Sequence, residues 1–260
     1  MQADTSLCLL TGIVSVKAAV TGGIRHIKKI YVDEEKKKKR DRKILAFLSF
    51  LSANNVEAVI TDRDEIERVA SAYSTHPGAS HGGVIALCGR RAFDTTDTLL
   101  ADENARYFVF LDGMEDPFNL GYAIRSFYAM GASGVLLPDR DLHAYSDVIA
   151  RASAGASECC RIAKITEDEE TLIETLRRHD LSLVCSALSP RSISFYDFSP
   201  SSPFLLVIGG EKRGISPVLM NAADTVVHIP YARDVRYSLP AAGVCAMFAS
   251  RLYPFAVGEV

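Results

Sequence analysis

The chain has 260 residues, 48% of them hydrophobic and 23% charged, and its formal net charge is −3. This composition is typical of a globular protein with a substantial core, and it argues against a disordered chain or one that coats nucleic acid through net positive charge. Apolar runs such as residues 204–208 are too short to cross a bilayer, and the polar N-terminal residues offer no signal peptide, so we expect a cytoplasmic protein with no membrane partner.

The cysteines occur at positions 8, 88, 159, 160, 185 and 245. No two of them form a Cys-x-x-Cys pair, and Cys159 adjoins Cys160, so their spacing favours neither a metal site nor a disulfide framework. We therefore predict free thiols and no bound metal.

The first 95 residues predict a small α/β domain. Strands are expected at residues 27–32, 56–61 and 84–88, and helices at residues 43–54 and 65–72. The polar residues 96–104 are expected to form a linker to a second domain at residues 105–260.

Charge is distributed unevenly between the two parts of the chain. Residues 1–95 hold 15 Lys and Arg against 11 Asp and Glu, whereas the remainder holds 14 against 21. The run Lys36-Lys37-Lys38-Lys39-Arg40 dominates the basic excess. Two interpretations of this run carry equal weight: the solvated start of a helix, or a segment that contacts the phosphates of a nucleic acid.

Residues 105–260 alternate strands with helices, a pattern that predicts a mostly parallel sheet covered on both faces. The expected strands are residues 107–111, 134–137, 183–186, 204–208 and 225–229. The expected helices are residues 120–130, 147–154, 167–179, 217–222 and 240–253. Open sheets of this kind bind ligands beyond the carboxyl ends of their strands, so candidate site residues are sought in the loops that follow.

The first candidate motif follows the strand at residues 107–111. It runs from Asp112-Gly113 through Asn119 and Gly121 to Arg125. Asn119 is expected to cap the helix. Arg125 lies four residues after Gly121, so Gly121 and Arg125 share one helix face. An arginine there can hold a phosphate through two hydrogen bonds, although this segment alone favours a surface ion pair.

The second candidate motif is the glycine-rich turn Ile208-Gly209-Gly210-Glu211, which ends at Gly214. It lacks the lysine of a phosphate-binding loop, because Ile215 stands in that place, and it lacks the spacing of a dinucleotide fingerprint. The remaining interpretation is a glycine turn at the end of a strand, which suits an anion or a cofactor.

The third candidate motif joins Ile229-Pro230 to Ser238-Leu239-Pro240 across a polar loop. Ser238 is expected to cap the helix that follows, and Pro240 to lie in its first turn. By itself this segment indicates only a strand, a loop and a well-started helix.

The order and separation of the three motifs resemble those of the SpoU (TrmH-like) RNA methyltransferases of the SPOUT superfamily, over about residues 105–255. This resemblance implies an α/β domain whose C-terminal segment forms a trefoil knot, S-adenosylmethionine as cofactor, ribosomal or transfer RNA as substrate, and a homodimer. Residues 1–95, with Thr11-Gly12 and His81-Gly82-Gly83-Val84, look like the small ribosomal-protein-like RNA-binding domain often fused to these enzymes.

The resemblance also implies roles for individual residues in methyl transfer to a ribose 2′-hydroxyl. Arg125 would be the essential arginine, and because a guanidinium stays protonated, we expect it to fix the neighbouring phosphate rather than to act as a free base. Asn119 would shape its loop, Glu211 would orient motif residues, and Ser238 would join the polar network of the active site. The residues expected to bind the cofactor are Ala187, Ile208, Gly209, Gly210, Ile229 and Leu239.

Pro240 departs from the family, whose third motif usually reads Ser-Leu-Asn. Proline supplies neither the donor nor the acceptor of the asparagine amide. There are two alternatives to the methyltransferase. The first is an RNA-binding protein that keeps the knotted fold but catalyses slowly or not at all, and Pro240 favours it. The second is a different nucleotide-dependent α/β enzyme, which is disfavoured because the phosphate-loop and dinucleotide patterns are not met.

Overall fold

The computed structural model describes residues 4–74, 80–200, 202–210, 213–235 and 237–259, which form two compact units. The first unit comprises Met1–Ala92 and Asp141–Cys159, and the second comprises Phe93–Arg140 and Cys160–Val260. The segment Asp141–Cys159 therefore packs with the N-terminal residues. The expected division of the chain into two domains at residues 96–104 did not include this packing.

The helices and strands follow one another along nearly the whole chain. The helices are α1 (Gly12–Gly22), α2 (Glu34–Lys38), α3 (Arg42–Ala53), α4 (Arg63–Tyr73), α5 (Thr96–Leu100), α6 (Pro117–Ala129), α7 (Ser146–Ala152), α8 (Glu169–Arg178), α9 (Pro217–Ala222) and α10 (Ala241–Ala256). The strands are β1 (Cys8–Thr11), β2 (Ile27–Asp33), β3 (Val59–Thr61), β4 (Val84–Cys88), β5 (Tyr107–Asp112), β6 (Gly134–Pro138), β7 (Ile162–Ile165), β8 (Ser182–Ser186), β9 (Ile193–Ser194), β10 (Phe204–Gly209) and β11 (Thr225–His228).

The sheet of the first unit has the strand order β1-β4-β2-β3, with β4 antiparallel to both of its neighbours. Both faces of β4 are covered. Val84 and Ala86 pack with residues of α1 and α3, whereas Ile85 and Leu87 pack with Ile66 of α4. Burial on both faces explains why this strand is an uninterrupted apolar run rather than an alternating one.

Two buried polar contacts join the segment Asp141–Cys159 to the N-terminal part of the first unit. The Arg25 guanidinium donates to Glu158, with 2.6 Å between Nε and Oε2, and the two side chains are only 5% and 1% exposed. The Oδ1 atom of Asp147 accepts hydrogen bonds from the backbone nitrogen and the hydroxyl group of Thr11, at 2.8 and 2.7 Å. A buried charge is costly without its partner, so these pairs fix where the segment packs.

The sheet of the second unit has the strand order β7-β6-β5-β10-β8-β11-β9, and every pairing in it is parallel. Side chains of α5, α8 and α9 cover one face of the sheet. Helices α6 and α10 pack against each other on the other face, where Phe204 of β10 contacts Phe255 of α10. The prediction of a parallel sheet covered on both faces is confirmed.

Residues 96–104 are not a simple linker. Helix α5 lies within them, capped by the Thr95 hydroxyl group, and its Leu99 and Leu100 are buried in the core beneath the sheet. The prediction of a linker was wrong because it relied on the Asp and Thr residues of this segment and overlooked the two adjacent leucines. Within the described residues, no helix is both long and apolar enough to cross a membrane.

Candidate functional site

A cavity of about 810 Å³ opens at the carboxyl ends of β8, β10 and β11. Each of these strands delivers its following loop to the lining, as expected for an open parallel sheet. All the residues expected to bind a cofactor line this cavity, and so does Ser238; the cofactor group is Ala187, Ile208, Gly209, Gly210, Ile229 and Leu239.

The glycines at the end of β10 allow the first and second motifs to touch through their backbones. A β-carbon on Gly210 would lie 2.3 Å from the carbonyl oxygen of Gly113, closer than real side chains come to a backbone atom. A β-carbon on Gly209 would lie 2.6 Å from the carbonyl carbon of Gly214, where the turn folds back. Glycine is therefore required at both positions by close approach.

The loop of the third motif is held by a tyrosine within it. The Tyr231 hydroxyl oxygen accepts a hydrogen bond from the backbone nitrogen of Leu239 at 3.1 Å. Both residues line the cavity, so this contact ties the start of the loop to its end. Sequence reasoning missed Tyr231, although a tyrosine directly after Ile229-Pro230 at the end of a strand was the available signal.

Ser238 does not cap the last helix. Helix α10 begins at Ala241, and its N-cap residue is Pro240, whose side chain makes no capping hydrogen bond. The carbonyl of Pro240 accepts from the backbone nitrogens of Gly243 and Val244. Proline fits here because an N-cap residue uses its carbonyl and not its own N–H in the helix, and Ser238 is left exposed in the cavity lining.

His228, at the end of β11, is a cavity residue that sequence reasoning also missed. The Ser192 hydroxyl group donates to the Ser189 carbonyl at 2.7 Å and lies 3.0 Å from the Nδ1 atom of His228. This contact holds the imidazole ring against the loop between β8 and β9.

Asn119 and Arg125 lie on α6 and are not among the residues that line the cavity. The helix begins earlier than expected, at Pro117, because the Asp116 side chain caps it by accepting from the backbone nitrogen of Asn119 at 2.8 Å. Asn119 is thus inside the first turn and is not the cap. Arg125 is exposed and forms no ion pair with the described residues. Glu211 lies outside the described residues.

Acidic groups lie near the carboxyl ends of β5 and β10, beside the second motif. Burial raises the pKa of Asp112, the charge of Glu169 raises it further, and Arg213 opposes the rise. The Ser216 hydroxyl group, which caps α9, donates to Glu169 at 2.6 Å. This hydrogen bond anchors the end of the glycine turn to α8.

All the cysteines are free thiols. Burial raises the pKa of Cys88, Cys185 and Cys245 to about 12 in each case. A thiolate is the nucleophilic form of cysteine, so these three thiols are unreactive near neutral pH.

The lysine run is largely held within the first unit. The Lys36 ammonium donates to the carbonyl of Gly82 at 2.7 Å, and Lys38 pairs with Glu34 at 2.8 Å. Lys39 approaches Glu35 at 3.8 Å. Exposed pairs of this kind contribute little energy, but they favour the solvated-helix interpretation for these three lysines.

The fold and the cavity define an α/β protein with an open cleft beyond the carboxyl ends of its parallel strands. Sequence comparison then identifies the family. The profile of the SpoU rRNA Methylase family matches residues 106–247, more than half of the chain. The chain belongs to this family, the SpoU (TrmH-like) RNA methyltransferases of the SPOUT superfamily, so the resemblance carried by the three motifs is confirmed.

Two relatives and one solved structure illustrate the similarity. The 23S rRNA (guanosine-2′-O-)-methyltransferase RlmB of Ralstonia nicotianae is 29% identical over 248 residues, which cover 94% of this chain and 95% of the relative. RlmB of Yersinia pestis is 28% identical over 231 residues, which cover 87% and 89%. The SpoU methyltransferase AviRb of Streptomyces viridochromogenes, crystallised with the cofactor AdoMet, shares the fold with a TM-score of 0.75 at 20% identity, covering 97% of this chain and 91% of AviRb.

Proposed function

We propose that this RNA methyltransferase transfers a methyl group from S-adenosylmethionine to a ribose 2′-hydroxyl of ribosomal or transfer RNA. The proposal rests above all on the convergence of the second and third motifs on one cavity, which is lined by Gly209-Gly210, Ile229-Pro230 and Ser238-Leu239. The names of the RlmB relatives, which specify guanosine 2′-O-methylation of 23S rRNA, support the ribose as acceptor and ribosomal RNA as the first substrate to test.

The cavity suits S-adenosylmethionine in size and in chemistry. Its volume of about 810 Å³ accommodates a molecule of that size. Ala187, Ile208 and Leu239 give it apolar surface, and the side-chain-free Gly209 and Gly210 leave backbone polar groups open to a ligand. When bound, the cofactor supplies a methyl group carried on a positively charged sulfur. An oxygen nucleophile attacks the carbon of this methyl group, in line with the carbon–sulfur bond that breaks.

The acceptor side of the reaction is assigned to α6. We propose that Arg125 holds the phosphate next to the target ribose and so places the 2′-hydroxyl for attack. Because Arg125 lies outside the cavity lining, the RNA or a second protomer must bring the acceptor within its reach. Asn119 would shape the loop before it, Glu211 would orient the second motif, and Ser238 would join the polar network of the active site.

The trefoil knot, the homodimer and an RNA-binding role for the first unit belong to the same proposal. Exposed Phe118 and Tyr122 on α6 support a homodimer, since these rings share one helix face with Arg125. The cationic side chains of Lys37 and Arg42, which form no ion pair with the described residues, support contact of the first unit with RNA phosphates.

The alternative is an RNA-binding protein of the same fold that catalyses slowly or not at all. Pro240 is the observation that favours it, because proline removes the amide that the family usually places there. Backbone contacts to the cofactor would survive this substitution, so the alternative predicts binding without efficient transfer.

Calorimetry with S-adenosylmethionine, followed by transfer of a tritiated methyl group to RNA from cells lacking the gene, tests the proposal. We expect the wild-type protein to bind the cofactor and to label RNA. Binding without labelling, together with labelling by a Pro240→Asn variant, would establish the alternative. Absence of cofactor binding would contradict both.

A further inference from the structure

Large apolar side chains are exposed around the mouth of the cavity. Leu188 is 83% exposed, Tyr237 is 70% exposed and Tyr231 is 44% exposed, and all three line the cavity. Exposure of three such side chains around one opening marks a binding surface, because an isolated apolar residue needs no explanation but a cluster at a pocket does. We call Leu188, Tyr231 and Tyr237 the rim.

The rim combines a ring held by a hydrogen bond with a second, more exposed ring. The hydroxyl group of Tyr231 is held by the backbone nitrogen of Leu239 at 3.1 Å, so its ring is positioned before any ligand arrives. Tyr237 lies in the same loop and is more exposed. Tyrosine offers a large contact area at a low cost in side-chain entropy, which suits it to stacking.

Arg233, in the same loop, is exposed, lines the cavity and forms no ion pair with the described residues. A guanidinium stacks on the flat face of a nucleobase and binds phosphate, so tyrosines with an arginine are typical of surfaces that bind unstacked bases. Asp234 beside it holds a negative charge at the same opening, which disfavours continuous tracking of a phosphate backbone.

The chemistry of the reaction fixes where the target base must lie. The 2′-oxygen has to reach the methyl group held in the cavity, and the base is attached to the ribose carbon next to the one that bears this oxygen. The base of the methylated nucleotide therefore lies at the mouth of the cavity. In a duplex that base would be stacked between its neighbours and could not contact protein rings on its faces.

We propose that the rim stacks the base of an unpaired target nucleotide, with the Arg233 guanidinium against the base or its phosphate. This inference rests on the proposed function, since it assumes that the ribose of an RNA enters this cavity. It assigns the substrate as single-stranded or looped RNA at the methylated position and places recognition of the base on the loop of the third motif.

The absence of tryptophan from the chain provides a direct test. A Tyr237→Trp variant carries a single indole at the rim, whose fluorescence a stacked base quenches. The matched control is Tyr196→Trp, because Tyr196 is 66% exposed in the same unit and does not line the cavity. The probes are a short single-stranded RNA rich in G and C, without self-complementarity, and the same strand paired with its full complement.

The single strand is expected to quench Tyr237→Trp at saturation and to leave Tyr196→Trp unchanged, and the duplex is expected to bind the rim at least about tenfold more weakly. Equal quenching of the two variants, or equal response to single strand and duplex, would overturn the inference. Quenching by a hydrophobic peptide or by neutral lipid vesicles in place of RNA would also overturn it.

A second measurement separates this inference from the proposed function. In methyl-transfer assays Tyr237→Ala is expected to raise KM for RNA about tenfold, Tyr237→Phe to leave it near the wild-type value, and calorimetric affinity for S-adenosylmethionine to change less than twofold in both. An active wild-type enzyme with an unchanged KM in Tyr237→Ala would reject the rim alone. A wild-type protein that neither binds the cofactor nor methylates RNA would reject the proposed function.

Discussion

Gly210 and Gly113 are in backbone contact, so that a β-carbon on Gly210 would lie 2.3 Å from the Gly113 carbonyl oxygen. Gly113 follows β5 and Gly210 follows β10, and these two strands are neighbours in the parallel sheet. The first and second motifs, almost a hundred residues apart in the chain, are therefore one structural unit.

Gly210→Ala is expected to separate these two loops and weaken cofactor binding at least about tenfold, because the clash is with backbone and no flexible side chain can move aside. Calorimetry with S-adenosylmethionine measures the effect. Gly243→Ala in α10 is the control, since nothing lies within 4 Å of its β-carbon position. That variant should keep the cofactor affinity and gain up to about 1 kcal/mol in free energy of unfolding. Wild-type affinity in Gly210→Ala would contradict the contact.

Tyr231→Phe keeps the aromatic ring but removes the oxygen that accepts from the Leu239 backbone nitrogen. A net loss of about 1 kcal/mol is expected for such a hydrogen bond, and the cofactor affinity should fall roughly fivefold as the loop loosens. Tyr237→Phe, in the same loop, should keep wild-type affinity. If the two variants behave alike in calorimetry, the hydrogen bond does not organise the cavity.

Arg125→Ala is expected to abolish methyl transfer while changing the affinity for S-adenosylmethionine by no more than a few-fold, because Arg125 is exposed on α6 and lies outside the cavity lining. Arg125→Lys should recover only part of the activity, since an ammonium cannot hold a phosphate through two parallel hydrogen bonds. Parallel loss of cofactor binding and transfer would instead make Arg125 a structural residue.

Glu158→Gln is expected to destabilise the first unit by about 3–5 kcal/mol, because it leaves the Arg25 charge buried without its partner. Urea denaturation followed by circular dichroism measures this loss. Asp141→Asn is the control, as its ion pair with Arg90 is largely exposed and should contribute less than about 1 kcal/mol. Similar losses in the two variants would show that burial of the Arg25–Glu158 pair is unimportant.

The buried thiols predict a dependence of stability on alkaline pH. Folding raises the pKa of Cys88, Cys185 and Cys245 from an ordinary value of 9.0 to about 12. The native protein therefore keeps these thiols neutral while the unfolded chain ionises them. Their contribution is fully present below pH 9 and is lost as the pH rises towards 12. Urea midpoints between pH 8 and pH 11 should fall less steeply for a variant with all three cysteines replaced by alanine, and identical slopes would contradict the shift.

Much of the second unit could be predicted from its sequence. The residues expected to bind the cofactor line one cavity because they follow parallel strands, and the carboxyl ends of parallel strands meet at one edge of a sheet. The strand at residues 84–88 and the helix at residues 217–222 were placed with the observed bounds, since buried apolar runs and a serine followed by proline are strong local signals.

Other features depend on contacts between distant residues, which local patterns do not contain. The packing of Asp141–Cys159 with the first unit comes from Arg25–Glu158 and from Thr11–Asp147, each more than a hundred residues apart in sequence. Capping by Asp116 in place of Asn119 was a choice between two good capping residues three positions apart. Strand β9, of two residues, was missed because so short a strand shows no periodicity.

The position of the transferred methyl group tests the central claim most directly. RNA from cells lacking the gene is incubated with the protein and S-adenosylmethionine carrying a trideuterated methyl group, digested to nucleosides and analysed by mass spectrometry. The account predicts that the deuterium label stays with the ribose fragment of a 2′-O-methyl nucleoside. Label on a base fragment, or none with a protein that binds the cofactor, would contradict it.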